Sequence, residues 1–368
     1  MNYLFSVAYL SGTYDANIDI AIAVAGELEK IGHQCLLLLY SDKAIAEYRT
    51  VLNGREFCVL PINVKRNSYR KKYRNSGKSK LFYSILHPVA TIKFKLEEKN
   101  DFLDSVSLID SKIKDNNIDC LISLVSPFNA SQVIIKNVRG VRKIIYQLDP
   151  WGFHESLDRN GLNQRRADEM ELFGLCDHVF TTDILYRLYK KDSEYRTYIN
   201  KISPLHFPGF RKKNVGKKPS MEQFDAEYPI VYTGTIDDEY RDPKAIFDML
   251  IKTKELYDLD LKIYLYGRTQ LSDTVAKYCQ IYKDTVIVRD EVDADTASAI
   301  MNSNGVFLLN INNKLKNQSP SKLIDYISTG NPIINLIKYE EDISPSILEN
   351  YDYKFSIYEN REFNFKSR

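Results

Sequence analysis

Apolar positions follow two rhythms along the chain. Residues 3–10 (YLFSVAYL) are an almost unbroken apolar run, the pattern of a strand buried on both faces. Gly12 breaks the run, and Ile18, Ala21, Ile22, Ala25, Leu28 and Glu29 then recur at helical spacing until Gly32. Short apolar runs return at residues 35–40, 57–61, 120–125 and 143–148, each a predicted strand. Residues 208–228 interrupt the pattern with Pro208, Gly209, Gly216, Pro219 and the basic Arg211, Lys212, Lys213, Lys217 and Lys218, which predicts an exposed linker. The rhythm then restarts, with predicted strands at 230–233, 261–266, 285–288, 305–311 and 332–337 and a helix over 243–256. Strands alternating with helices predict parallel sheets with helices on both faces. The expected organisation is two α/β domains, 1–207 and 208–368, with a ligand cleft between them.

Composition narrows the function classes. Lysine plus arginine is 51 and aspartate plus glutamate is 49, so the formal charge is +2, which argues against a surface built throughout for nucleic acid. With 44% apolar and 27% charged residues, the chain is not a mostly disordered one. Five scattered cysteines with no CxxC pair predict buried free thiols in a reducing compartment, not a zinc ribbon or a disulfide framework. No histidine pair has metal-ligand spacing, so no metal is expected. No apolar run approaches the roughly 20 residues that span a bilayer. The opening segment lacks a charged leader and a cleavage site, so a cytoplasmic protein is expected, with any membrane contact peripheral. Such contact would come from residues 65–80 (KRNSYRKKYRNSGKSK), which hold eight basic residues and no acidic one. That segment reads either as a solvated loop or as a docking site for anionic headgroups or a pyrophosphate-linked acceptor at the inner face of the membrane.

The stretch from Ser319 to Pro332 (SPSKLIDYISTGNP) carries the clearest chemistry. Ser319 can cap a helix, Pro320 suits its first turn, and Gly330 suits its end. Ser321 and Lys322 would then stand at a helix N-terminus, which attracts phosphate, and Lys322 adds a full positive charge. Asp325, one turn on, could accept hydrogen bonds from a ribose diol. Spacing alone equally allows an ordinary capped helix with a surface Lys–Asp pair.

The PSKL-x-(E/D)-Y-x-x-x-G-x-P pattern resembles the donor-site helix of GT-B glycosyltransferases, especially glycosyltransferase family 4. Tyr232-Thr233-Gly234-Thr235 followed by Arg241-Asp242-Pro243 is similar to the first strand and loop of that family's C-terminal domain, and residues 262–267 to its next strand. Gly12 with its helix, Gly32-His33, and residues 168–182 resemble the opening and close of the N-terminal domain. The resemblance implies a GT-B fold, two Rossmann-like domains facing each other across a cleft. It also implies retaining transfer of a sugar from a UDP- or GDP-linked donor to a hydroxyl of a glycan or lipid-linked acceptor, in surface polysaccharide or glycolipid synthesis. By motif position Ser321 and Lys322 would contact the diphosphate and Asp325 the ribose, while Gly234 and Thr235 would let backbone approach the phosphates. Arg241 is the best second cation and Arg268 a weaker one. The departing diphosphate carries negative charge that fixed cations stabilise, with no cofactor needed. The chain departs from the family at Asn317, where members often have glutamate, and little length follows the last expected strand; residues 342–349 would be what is left of the family's return helix. Both departures keep open a GT-B-shaped binding or partner subunit with little catalysis of its own, and an epimerase of a nucleotide sugar is a third reading.

On the acceptor side, residues 147–155 (QLDPWGFHE) follow a predicted strand and hold the only tryptophan. Asp149 and His154 are the candidate catalytic residues there, and Gly12 and Trp151 complete the acceptor side. A capping aspartate and a surface histidine are the plainer alternative.

Overall fold

The computed structural model describes residues 1–8, 16–41, 44, 46–61, 105–125, 128–149, 151–153, 159–205, 224–238, 241–270, 272–311, 321–337 and 342–358. The chain forms two compact units, Met1–Pro208 and Gly209–Arg368.

In the N-terminal unit, β1 (Asn2–Ala8), β2 (Gln34–Ser41), β5 (Cys120–Leu124) and β6 (Arg142–Gln147) are the apolar runs anticipated above. β5 is buried at every position, as expected for a central strand covered on both sides. With β3 (Tyr48–Leu52), β4 (Arg55–Pro61), β7 (His178–Thr181) and β8 (Ile202–Pro204), they give the order β3-β4-β2-β1-β5-β6-β7-β8. Each pairing is parallel except β3 with β4, an antiparallel hairpin turned by Asn53 and Gly54, both at positive φ. The helices are α1 (Ala16–Lys30), α2 (residues 105–115), α3 (Phe128–Asn137), α4 (Arg159–Leu175) and α5 (Asp183–Lys191). Ile18, Ala21 and Ala25 of α1 pack on one face of the sheet with Phe5, Val7 and Leu37, while α3, α4 and α5 close the other face around Leu121, Ile145 and Phe173.

In the C-terminal unit, β9 (Tyr228–Thr233), β10 (Leu261–Tyr266), β11 (Val286–Arg289), β12 (Phe307–Ile311), β13 (Ile333–Ile337) and β14 (Lys354–Tyr358) form an all-parallel sheet of order β11-β10-β9-β12-β13-β14. Its helices are α6 (Lys244–Tyr257), α7 (Asp273–Ile281), α8 (Ala294–Met301), α9 (Ser321–Thr329) and the short α10 (Ser344–Ile347). Strand order reverses between β9 and β12, and ligands of open α/β sheets bind beyond the carboxyl ends of strands at such a point.

The α/β reading of the sequence is thus the fold that the chain has. Three strands fell outside that reading: β3, β8 and β14. In place of a return helix near 342–349, the chain makes the four-residue α10 and then pairs β14 alongside β13. Gly12, His154, Asn317, Ser319, Pro320, the basic segment 65–80 and most of the anticipated linker lie outside the described residues.

Candidate functional site

The loops leaving β9 and β10 touch. Gly234 follows β9 at φ +139° and Gly267 follows β10 at φ +131°, and the Gly234 N–H donates to the Tyr266 carbonyl at 2.7 Å. A Cβ on Gly267 would lie 2.5 Å from the Gly234 carbonyl oxygen, so that approach excludes any other residue. Further along the β9 loop, the Ile236 N–H donates to the Arg268 carbonyl at 2.9 Å, and the Tyr232 hydroxyl donates to the Thr235 carbonyl at 3.0 Å. The Asp238 carboxylate accepts from Ser272 Oγ at 2.5 Å and from the Thr274 N–H at 3.0 Å, which ties the same loop to the start of α7.

Lys322 reaches onto this scaffold from α9. The helix is anchored by Leu323 and Tyr326, both fully buried, and Lys322 projects from its first turn. The Nζ lies where a Gly234 Cβ would be, 1.4 Å from that ideal position, and 4.9 Å from the centre of the Tyr232 ring. Only a glycine leaves space for the amine there. Desolvation, and after it the Arg241 guanidinium, together bring Lys322 down to about 7 against the opposing pull of Asp325. Among the described residues, the Lys322 amine has no hydrogen-bond acceptor and no salt bridge. Arg241 is held by its own N–H, which donates to the Asp237 carbonyl at 2.7 Å, and its charge also reaches the buried phenol of Tyr232.

The geometry therefore brings Gly234, Arg241, Lys322 and Asp325 together at the switch point of the C-terminal sheet. Thr235 is in the same loop, its carbonyl engaged by Tyr232. Ser321 is the first residue of α9. Arg268 stands apart in chemistry: its Nε pairs with Glu291 Oε1 at 3.1 Å, with both side chains about half exposed. Gly267 and Tyr232 are the two members of this constellation to which sequence reasoning assigned no role. The signal for Gly267 was its place directly after a strand.

The N-terminal unit holds a different arrangement after β6. Asp149 is exposed, and its carbonyl accepts from Gln147 Nε2 at 2.6 Å and from the Trp151 N–H at 2.9 Å. The Trp151 ring stacks on Phe128 at 4.4 Å and 4°, and the Arg165 guanidinium lies 4.1 Å from the indole centre. Two groups that close to one ring must occupy opposite faces, so Trp151 has no free face on which to stack a sugar. Beneath the loop, Glu169 is fully buried and accepts from the Tyr189 hydroxyl at 3.0 Å, the Tyr195 hydroxyl at 2.6 Å and the Gly152 N–H. Burial raises its carboxyl to about 7 against the pull of these donors. Gly152 has no room for a Cβ, which would meet Tyr195 Oη at 2.3 Å and Glu169 Oε2 at 2.4 Å. Arg166 covers the cluster, 5.3 Å from the Phe153 ring, and is itself paired with Asp192 at 2.5 Å. Sequence reasoning missed Glu169. Its signal was weak but present: Glu169 shares a helix face with Leu172 and Phe173, so an acidic residue sits on the apolar stripe.

Among the described residues, no cluster of three His, Cys, Asp or Glu side chains could hold a metal, and no helix is long and apolar enough to cross a membrane.

No protein-family model matches the sequence, and no curated protein does. Solved structures do match. An α,α-trehalose-phosphate synthase (UDP-forming) from Burkholderia vietnamiensis aligns with a TM-score of 0.61 and 10% identity, over 98% of this chain and 89% of that one. A trehalose-6-phosphate protein from E. coli bound with UDP-2-fluoro glucose aligns at 0.58 and 10% identity, over 96% and 88%. The UDP co-structure of MnaA from S. aureus aligns at 0.52 and 12% identity, over 95% and 82%. At these identities the likeness shows the fold: the paired α/β units of the GT-B class.

Proposed function

We propose that the protein is a glycosyltransferase that moves a sugar from a nucleoside-diphosphate donor to a hydroxyl acceptor. One observation carries the reading: a partly buried lysine without a partner among the described residues, seated on a glycine and within electrostatic reach of an arginine, at the switch point of a parallel sheet. A partly desolvated amine in that state is costly unless an anion completes it. Two juxtaposed cations suit a diphosphate, and they would stabilise its charge as the glycosidic bond breaks. Asp325, one turn along α9, is positioned by the helical repeat to take the ribose hydroxyls. The structural neighbours named with UDP or a UDP-sugar support a uridine donor ahead of a guanosine one. Retention of anomeric configuration rests on the family resemblance. Asp149 and His154 belong to the acceptor side in this reading.

The test follows free nucleoside diphosphate while the purified protein meets a panel of UDP- and GDP-sugars. Donor-dependent release, reduced about 100-fold in Lys322→Ala, is the expected result. Nucleotide binding without release across donors and acceptors would replace the enzyme with a binding subunit. Interconversion of the donor sugar without release would replace it with an epimerase.

The finer assignment is an acceptor presented at an anionic membrane surface, as in surface polysaccharide or glycolipid synthesis. The eight basic residues of 65–80 support it. Neutralising them should abolish sedimentation with anionic liposomes while leaving UDP binding intact; unchanged sedimentation removes the membrane role.

A further inference from the structure

For Lys322 to meet a diphosphate, as the donor reading requires, its amine has to be in place when the diphosphate arrives. A lysine head is strongly hydrated and rides on a flexible four-carbon stem, so an amine with nothing to hold it swings into water. Lys322 is partly buried, and among the described residues its amine has no hydrogen-bond acceptor and no salt bridge. The Nζ nevertheless has a defined seat. It lies over the Tyr232 ring, 4.9 Å from the centre, and fills the space that a Gly234 Cβ would take. The face of an aromatic ring carries negative potential and attracts an ammonium within about 6 Å of its centre. The ring thus favours the charged amine and offsets part of its desolvation.

The ring is itself fixed. Tyr232 lies in β9 at 1% exposure, in the apolar cluster that includes Ile236, Ile246 and Phe247. Its hydroxyl donates to the Thr235 carbonyl at 3.0 Å, which ties the ring to the loop that carries Gly234. The strand sets the ring, the hydroxyl sets the loop against it, and the glycine leaves room for the amine. The like charge of Arg241 acts against the ammonium, so the ring works in opposition to it. We propose that Tyr232 is a positioning residue of the donor site: the face of its ring holds the Lys322 ammonium over Gly234, ready for the phosphate oxygens. Its contribution is pre-organisation. With the attraction in place, the ammonium already stands where the diphosphate lands. Without it, the free protein releases the amine to water, and binding has to strip that hydration and order the side chain again. Tyr232 touches no reacting atom; it acts through Lys322.

The decisive experiment separates the electrostatics of the ring from its size and from its hydroxyl. Calorimetric titration with UDP compares the full unmodified chain, Tyr232→Phe, and chains with singly, doubly and triply ring-fluorinated phenylalanine at position 232. Fluorine drains the negative potential from the ring face and barely changes its volume, so the packing stays while the attraction goes. Tyr232→Phe loses the bond to Thr235 but keeps the ring, and it should bind UDP within about 3-fold of the unmodified protein. Affinity should then fall stepwise with each fluorine, to about 10-fold below Tyr232→Phe at three. A tyrosine that only fills the core would give no such gradient. Equal UDP affinity along the fluorinated series overturns the positioning role and leaves the donor site standing. So does a flat series after a large loss in Tyr232→Phe, which assigns the effect to the hydroxyl's tie on the loop. Absence of binding by both UDP and GDP in the unmodified protein overturns the donor site and the positioning role together.

Discussion

Each of the two units takes an ionisable side chain away from water, Glu169 fully and Lys322 in part, and they treat it in opposite ways. Glu169 of the N-terminal unit has three donors aimed at its two oxygens. Lys322 of the C-terminal unit is packed against a glycine and an aromatic ring beside a like charge. Desolvation is the leading cause of the displaced pKa of both groups. Such a shift therefore does not by itself separate structure from function. Partner accounting does. The carboxylate is satisfied, and its donors belong to the wall of a loop it supports. The amine is unsatisfied among the described residues, and it lies where parallel sheets receive ligands.

Four substitutions sharpen or break this contrast, and they are ordered by expected effect. Glu169→Ala strands two tyrosine hydroxyls and an amide, and it should lower stability by about 3 kcal/mol, read as a shift in urea midpoint. A change below about 1 kcal/mol would mean that the cluster is not the anchor of the loop. Lys322→Met should act with the opposite sign, stabilising the protein by about 2 kcal/mol at pH 6 while UDP binding is lost. The sign follows from a folded-state value of about 7 against 10.5 unfolded: the native state binds fewer protons between those values. The penalty is thus complete below 7 and disappears as pH rises toward 10.5, and the gain from methionine should fade over the same window.

Glu169→Gln is a subtler case. The folded carboxyl titrates near 7 instead of 4.5, so native Glu169 holds its proton longer than the unfolded chain does and loses stability as pH climbs through that interval. The glutamine variant should therefore compare more favourably at pH 8 than at pH 5, by about 1 kcal/mol, in paired melts. Equal differences at the two pH values would show that the folded carboxyl is ionised across the range, as it is in the unfolded chain. Last, Arg268→Ala removes an exposed pair with Glu291 and should change stability by less than about 0.5 kcal/mol. A UDP affinity equal to that of the unmodified protein would leave Arg241 and Lys322 as the cations of the site.

What the sequence revealed follows from how each element is stabilised. β5, β9, β10 and β12 are buried on both faces, so their composition alone marks them. β3 (YRTVL) is an exposed edge strand whose partner supplies the pairing, and its residues carry no apolar run. Asn53-Gly54 is the unread local signal for its hairpin, since that pair favours the positive φ values that both residues adopt. β14 (KFSIY) buries only Ile357, too little for an apolar-run reading. The same division holds for the sites. Lys322 and Asp325 lie within one turn of one helix, so a local motif exposes them. The Glu169 cluster joins Gly152, Tyr189 and Tyr195 from segments that only folding brings together, and the one local hint is an acidic residue on the apolar stripe of its helix. Trp151 shows the limit of residue type as a guide: its strand-end loop assigned it to the acceptor side, and both faces of its ring are occupied.

That sandwiched indole has one more consequence. It is the only tryptophan among 368 residues, and it lies in the N-terminal unit between Phe128 and Arg165. Its fluorescence is therefore a built-in optical tag on half of the molecule. Emission excited at the red edge of the indole band follows the melting of that half alone, while circular dichroism follows both. The two records let the unfolding of each half be timed in the intact chain, without dyes or cutting.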